Sequence, residues 1–396
     1  MAKPLQTLLV RAPSFEGLNT EASPLGQNLN FALSADNAVI DRLGRLGSRL
    51  AFATDTVTID VTYTTDPTTV QTDKEVTQIG GGDINGTYVV LCVVKVTQQD
   101  ANNAIVQTDY FVCRRDGDTL TELTLPAGVP AMTAVGRADI VYFNDKLYVF
   151  SNGNPALIYD GSGNALTKMN DEANYLPPQT DAGNIANDID ADIAIAAYGR
   201  MWVTGVGGDY QTIHYSDLLI ANQWYDGKAT PTDAQNTGGL INVSEFWPNG
   251  GDRIVSLAAH NNFLVVFGRE SILVYANAAS GDPAAADGIF LQDTMRNIGC
   301  VGRDALVNTG ADVLFVDDSG IRSLGRTIQE KSVPVGDLTL NVKGDIRRVI
   351  SQADQERIAL SYWPEQSIVV CLFPDTAQAF VLSTTRSEEH TSELQS

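Results

Sequence analysis

The segment Asp139-Ile-Val-Tyr-Phe-Asn-Asp-Lys-Leu-Tyr-Val-Phe150 consists of two apolar runs that are separated by a short polar turn. Val, Ile, Tyr and Phe favour strands, and Asn-Asp between two such runs favours a tight hairpin turn. Four later segments follow the same pattern: Ile193–Thr204, Ile254–Phe267, Ala305–Val316 and Arg357–Val370. The five segments recur at intervals of roughly 50 to 60 residues. The sequence therefore predicts a repeated β-hairpin unit.

Further strand-like runs accompany these hairpins: Ala156–Gly161, Ser271–Tyr275, and Gly86–Thr97 with Tyr110–Cys113 one period upstream. Three or four short strands per repeat of about 50 residues are typical of a propeller blade, because radial packing buries both faces of each blade. We predict an all-β fold, a β-propeller of about six to eight blades, of which six are countable and the last is open to truncation. Immunoglobulin-like sandwiches, the rival architecture, would need about 100 residues each.

The chain divides into three predicted parts. Residues 1–50 are expected to form an extended N-terminal arm, because Ala12–Leu25 contains turn formers but little alternation of apolar and polar residues. Residues 51–385 are expected to form the propeller. Residues 386–396 resemble the in-frame translation of a common sequencing-adapter oligonucleotide. We expect this last segment to be an artefact that packs against nothing and stands in place of the natural C-terminus.

The composition limits the possible partners. The chain has 26 Lys and Arg against 48 Asp and Glu, a formal net charge of −22. Such a charge repels phosphate backbones, so specific nucleic-acid binding in a basic groove is not expected. The longest apolar run, Tyr88–Val94, is too short to span a bilayer, and Arg11 interrupts any leader-like stretch. We predict a protein made in the cytosol that does not insert into membranes.

The four cysteines, Cys92, Cys113, Cys300 and Cys371, form no C-x-x-C pair, so neither a zinc site nor a redox motif is indicated. Each lies in an apolar, strand-like context that favours a buried thiol. Cys92 and Cys113 are placed symmetrically about the turn-like Asp100–Ala104, which predicts that they face each other in a hairpin. We expect a cytosolic chain to keep them reduced, whereas an oxidising setting would allow a disulfide.

Catalytic motifs are missing from the sequence, and we predict neither an enzyme nor a cofactor. There is no G-x-S-x-G nucleophile elbow. His214 lies inside a strand-like run, and His260 occupies the turn position of its hairpin. The glycine-rich Gly80–Gly86 is not followed by G-K-[ST], so it predicts a loop between blades rather than a phosphate cradle. Trp202, Trp224, Trp247 and Trp363 are expected in the core, with a glycan site as the alternative.

The candidate metal ligands are Asp188, Asp190 and Asp192, which alternate in an extended segment and so place three carboxylates on one face, with help from Asn184 or Asn187. They form a weak candidate calcium site, because the glycine and the distal glutamate of a helix-loop-helix site are missing. The other interpretation is a solvated strand edge whose charges discourage edge pairing. Asp317-Asp318 predicts an ordinary tight turn.

Several short motifs resemble propeller-bearing tail proteins of short-tailed bacteriophages: Gly17–Thr20, Ser23–Leu25, Asp36-Asn37, Gly44–Leu46 with Arg49, Tyr215–Leu218 with Trp224–Gly227, and Asp317–Ser323. The resemblance implies a structural virion protein, the tail nozzle or hub, which helps to retain packaged DNA and conduct it outward. It implies assembly in the host cytoplasm, a homo-oligomeric ring, and contacts with the portal or adaptor side and with fibres. DNA would pass through transiently, without specific binding.

Two other functions remain open from the sequence. One is a propeller that binds a glycan or a receptor on the particle surface, which clustered exposed aromatic residues would favour. The other is a glycosidase acting at the propeller rim, which would need two carboxyl groups about 5–9 Å apart in a pocket.

Overall fold

The computed structural model describes residues 17–21, 31–32, 38–40, 46–48, 56–129, 131–132, 135, 137–169, 190–224, 237–280, 288–329 and 338–383. Over these residues the chain is nearly all β, with two short α-helices. Its main sheets are six blades of a β-propeller, which confirms the predicted fold class. Described residues between 54 and 298 form one compact unit, and those of 1–53 together with 299–396 form another. No described helix has the length and apolar character needed to cross a membrane.

Four short strands precede the propeller units. They are β1 (Gly17–Leu18), β2 (Phe31–Ala32), β3 (Ala38–Ile40) and β4 (Leu46–Ser48). Strand β1 pairs in parallel with β2, and β3 pairs antiparallel with β4. These pairs fall within the segment expected to be an extended arm. The predicted artefact at 386–396 lies outside the described residues.

The unit of 54–298 contains four blades. The first is a five-stranded sheet in the order β5-β9-β8-β7-β6, with β5 (Thr58–Asp60), β6 (Gln71–Ile84), β7 (Thr87–Gln99), β8 (Ile105–Asp116) and β9 (Thr119–Glu122). The other three are four-stranded sheets in chain order. They comprise β10 (Ala138–Phe143), β11 (Lys146–Ser151), β12 (Asn154–Tyr159) and β13 (Thr167–Lys168); β14 (Ile193–Ala197), β15 (Arg200–Val206), β16 (Asp209–Tyr215) and β17 (Gly239–Asn242); and β18 (Ser256–His260), β19 (Phe263–Phe267), β20 (Ser271–Ala276) and β21 (Phe290–Arg296).

The second unit contains two three-stranded blades. One comprises β22 (Leu306–Asn308), β23 (Val313–Asp317) and β24 (Gly320–Ser323); the other comprises β25 (Ala359–Trp363), β26 (Ile368–Phe373) and β27 (Gln378–Ser383). Between them lie the helices α1 (Leu324–Gln329) and α2 (Lys343–Gln352). Residues from the N-terminal segment contact this region, because Thr20 donates its backbone N–H to the Asn341 carbonyl at 2.9 Å.

The five hairpins quoted from the sequence are the first two strands of the second to sixth blades, as predicted. In three of them the two turn residues have positive φ: Asn144-Asp145, Tyr198-Gly199 and Asn261-Asn262. Positive φ at both central residues is what a two-residue type I′ turn requires, and Asn, Asp and Gly tolerate it best. Turn chemistry and strand alternation together therefore account for this repeat.

One glycine-rich segment differs from its prediction as a loop. Gly80–Ile84 is the end of strand β6, and only Asn85-Gly86 forms a turn. A Cβ atom on Gly80 or Gly82 would clash with Ile140 or Tyr142 of β10 in the next blade. The glycines are needed because the inner strands of two blades approach closely here, so the loop prediction was wrong.

The apolar cores lie between successive blades of the 54–298 unit. One core packs β7 and β8 against β10 to β12, as Leu91 and Val93 meet Leu147 and Leu157. A second includes Phe150 and residues of the next blade. A third joins the blades of β14–β17 and β18–β21: Ile193, Trp202, Ile213, Tyr215, Leu264, Val266, Leu273 and Tyr275. The second and third blades bury apolar side chains on both faces, so either blade in isolation would expose them to water.

Candidate functional site

The predicted carboxylate cluster is partly described: Asp190 and Asp192 are placed, and Asp188 lies outside the described residues. Asp190 is buried, with 3% of its surface exposed. One of its oxygens, Oδ1, accepts a hydrogen bond from the backbone N–H of Gly153 at 2.9 Å. Its other oxygen, Oδ2, is buried without a hydrogen-bond partner among the described residues. Asp190 is therefore not the solvated strand edge that one interpretation expected.

Asp192 has a different environment, because its Oδ2 accepts a hydrogen bond from the hydroxyl of Tyr210 at 2.7 Å. Asn152 Nδ2 lies 3.4 Å from the same hydroxyl. The two carboxyl groups thus link the β11–β12 turn of one blade to β16 of the next. Among the described residues no group of three or more His, Cys, Asp or Glu side chains is arranged to hold a metal ion. The calcium site stays a prediction.

Burial raises the pKa of Asp190 to about 6, and the nearby charge of Asp192 acts in the same direction. The hydrogen bond from the Gly153 N–H opposes this effect by stabilising the carboxylate. A carboxyl group of this kind changes its charge close to neutral pH. Its environment is that of a buried contact between blades.

Two other carboxylates hold turns together, the buried Asp317 and the half-buried Asp252. Asp317 accepts hydrogen bonds from the backbone N–H groups of Ser319 at 2.8 Å and Gly320 at 2.9 Å, and it pairs with the buried Arg322. This is the turn chemistry predicted for Asp317-Asp318. Asp252 likewise accepts from the backbone N–H groups of Arg269 and Glu270 at 2.9 Å. These carboxylates are committed to backbone groups and are not free for chemistry.

The Tyr215–Leu218 motif forms a latch on the third blade. Ser216 Oγ accepts from the backbone N–H of Met201 at 3.0 Å, and the fully buried Arg200 donates to the Ser216 carbonyl at 2.8 Å. Asp217 Oδ1 accepts from the backbone N–H of Thr237 at 2.9 Å and from its hydroxyl at 2.7 Å. The motif therefore stabilises the chain where it leaves β16.

The histidines take no part in a catalytic arrangement among the described residues. His214 is buried on β16, as its strand-like context predicted. His260 ends β18, and Asn261-Asn262 fill the turn itself. The Nε2 atom of His260 lies 2.8 Å from the side-chain nitrogen Nδ2 of Asn261.

The tryptophans and cysteines were predicted to be buried. Trp202, Trp224 and Trp247 are buried, as expected for core residues, whereas Trp363 is half-buried. All four cysteines are buried thiols that form no disulfide among the described residues. Cys92 and Cys113 are direct partners across β7 and β8, which confirms that they face each other. Burial raises the pKa of the Cys113 thiol to about 12, so this thiol is unreactive near neutral pH.

The exposed apolar side chains were not identified from the sequence as a site. We call Tyr142, Leu218, Leu219 and Ile220 the tip surface; each is at least one-third exposed. Gly80 and Gly82 face Ile140 and Tyr142, so β6 and β10 run in the same direction and their hairpin turns lie at the same end of the unit. The sequence contains one indication of this surface: the apolar run Leu218-Leu219-Ile220 follows strand β16 but belongs to no strand.

Hydrogen bonds to the loop backbone hold Leu218–Ile220 over the hairpin turns of two blades. The backbone N–H of Leu219 donates to the Gly199 carbonyl at 2.7 Å. Asn144 Nδ2 donates to the Leu219 carbonyl at 3.2 Å. The loop is therefore a defined structure that presents its apolar side chains to solvent.

Comparison with known proteins shows no family membership: no protein-family model and no curated protein matches the chain. Among solved structures, the AfRom2 CNH domain is similar at 10% identity and a TM-score of 0.32, over 74% of this chain and 70% of that one. Apo AztD from Citrobacter koseri is similar at 12% identity and a TM-score of 0.34, over 77% and 82%. PorZ, a surface component of the type-IX secretion system of Porphyromonas gingivalis, is similar at 10% identity and a TM-score of 0.28. That similarity spans 74% of this chain and 56% of PorZ. TM-scores this low carry no functional argument.

Proposed function

We propose that this protein is a non-catalytic structural component of a bacteriophage tail, the nozzle or hub that helps to retain packaged DNA and conduct it outward. The observation that carries the proposal is a contrast between carboxylates that are bound in turns and apolar side chains that are exposed. Asp217, Asp252 and Asp317 stabilise turns, while the tip surface exposes apolar side chains. Exposed apolar groups on a rigid scaffold are typical of a protein that assembles with others.

The motifs that resemble the tail proteins support this proposal through their structural roles. Tyr215–Leu218 forms the latch on the third blade, and Asp317–Ser323 forms the β23–β24 turn with its buried ion pair. Both motifs fix the geometry of a blade. Motifs of this kind suit a protein whose function depends on shape.

The net charge of −22 supports a role in conducting DNA. An acidic wall repels the phosphate backbone, so DNA can pass without adhering. The proposed partners are copies of the chain in a ring, the portal or adaptor side of the tail, and fibres. The proposed location is the tail of the virion, after assembly in the host cytoplasm.

Deletion of the gene from its phage, with complementation by the wild-type gene, tests this proposal. Particles assembled without the protein are expected to lose packaged DNA, measured as nuclease-protected genome copies per particle. Complemented particles should keep it. If the deleted particles retain DNA and the protein is not found in purified tails, the nozzle proposal fails and a surface-binding propeller becomes the better hypothesis.

A further inference from the structure

The tip surface spans the second and third blades, with Tyr142 on β10 and Leu218–Ile220 after β16. A Cβ atom on Gly82 would clash with the Tyr142 ring, so the tip surface borders the end of β6 in the first blade. Tyr142 immediately precedes Phe143, the last residue before the Asn144-Asp145 turn that supports the Leu218–Ile220 loop.

The backbone of Leu219 adopts a conformation that is unfavourable for leucine. Its φ is +61°, and it is the only branched aliphatic residue with positive φ in the part of the chain that the structure describes. A bulky residue in the left-handed region costs about 1–2 kcal/mol relative to its preferred conformations. Its side chain is also 60% exposed, so it gains little from burial. Asn or Gly would suit this backbone better, which indicates that the apolar side chain serves an interaction.

At the two hairpin turns beside the tip surface, the exposed carboxylates of Asp83 and Asp145 outnumber the one exposed cation, Lys146. Tyr142 donates its hydroxyl hydrogen bond to Asp145 at 3.0 Å, and the charge of Asp83 also acts on Tyr142. Both carboxylates are exposed, and the chain as a whole carries −22. A second copy of this chain would bring the same negative charges together. Charge complementarity therefore favours a basic partner.

We propose that the tip surface docks a segment of a different protein, in which apolar side chains are accompanied by Lys or Arg. The apolar side chains pack on Leu218, Leu219 and Ile220, and the basic groups meet Asp83 and Asp145. This inference takes its biological meaning from the assembly role proposed above, where the partner is another tail component. The docking chemistry itself is a property of the purified chain.

The test uses purified full-length protein and a displayed library of random peptides of about 12 residues. Peptides are selected on the wild type and depleted on Leu219→Asn. Asn accepts positive φ more readily than Leu, so this variant keeps the loop backbone and removes the apolar side chain. Ile105→Asn is the matched control, since Ile105 is 63% exposed and lies at the start of β8, outside the tip surface.

Enriched peptides are expected to carry a net positive charge together with apolar residues. The affinity of a synthetic copy should fall about tenfold or more with Leu219→Asn and less than about twofold with Ile105→Asn. Replacing Asp83 and Asp145 by Asn should weaken binding by about threefold to tenfold and reduce its salt dependence. Thermal unfolding of Leu219→Asn should be unchanged or shifted upward.

Three results would overturn the inference: no peptide that distinguishes wild type from Leu219→Asn, an enriched set without positive charge, or equal losses with both variants. Dimerisation of the wild type that Leu219→Asn abolishes would show a second copy as the occupant, against the proposal. Peptide binding does not depend on particles. A positive peptide result with DNA retained in deleted particles would therefore keep the docking surface and reject the nozzle.

Discussion

At the scale of single residues, Asp190 and Asp192 show how position decides the behaviour of identical side chains. Asp192 is paired with the Tyr210 hydroxyl, whereas Asp190 keeps one buried oxygen without a partner among the described residues. The sequence predicts equal members of a cluster, because alternation places their side chains on one face. It could not predict the difference, since Gly153 and Tyr210 come from two different blades.

Asp190 makes the stability of the protein depend on pH. Its pKa in the folded state, about 6, lies above the ordinary value of 3.8, so the protonated carboxyl favours folding. This contribution, up to about 3 kcal/mol, is fully present below the ordinary pKa of 3.8 and is lost as pH rises from there through about 6. We expect the free energy of unfolding of wild type to fall between about pH 4 and pH 6 by more than that of Asp190→Asn.

The measurement is chemical denaturation of wild type and Asp190→Asn at a series of pH values. The quantity compared is the change in the free energy of unfolding with pH, because Asp190→Asn also alters hydrogen bonding by a constant amount at every pH. Glu365→Gln is the control for the loss of one carboxylate, because Glu365 is exposed in the β25–β26 turn. Identical pH profiles for wild type and Asp190→Asn would contradict the assigned shift.

At the scale of elements, hairpins were predictable and the close approach of blades was not. The alternation and the turn residues of Asp139–Phe150 are local, so they specify β10 and β11 directly. Gly80–Asp83 lacks strand-forming residues; it is a strand because it pairs with β7, and the close approach of Ile140 and Tyr142 requires the glycines. The exposed loop at Leu219 was missed for the same reason, because contacts with Gly199 and Asn144 hold its backbone.

Gly82→Ala is expected to destabilise the protein by about 1–3 kcal/mol, because the new Cβ would meet the Tyr142 ring. Denaturation with urea measures the change. Gly251→Ala is the matched control, since a Cβ there has no atom within 4 Å and no positive φ is involved. In a Tyr142→Gly background, which removes both the ring and the Cβ atom that the new methyl group would meet, the cost of Gly82→Ala should shrink markedly. Equal costs in both backgrounds would show that the Tyr142 contact is not the cause.

At the scale of the whole molecule, the nozzle proposal requires assembly beyond one chain. The inner strands of a propeller fill or nearly fill its channel, so a DNA duplex needs a conduit between subunits. The sequence predicts the propeller through its repeat, but the surfaces that join copies carry no comparable periodic signal. The net charge also affects assembly, because chains that each carry a net charge of −22 repel one another at low ionic strength.

We therefore expect ring formation to strengthen with salt. Light scattering or native mass spectrometry should give multiples of the 42.5 kDa chain mass, in a fraction that rises between about 0.05 M and 0.3 M salt as charge repulsion is screened. Tail partners should increase this fraction further. Leu219→Asn should leave the ring unchanged, because the tip surface is assigned to a different, basic partner whose binding weakens over the same salt range. A chain that keeps its monomer mass at every salt concentration, even with its tail partners, would contradict the ring.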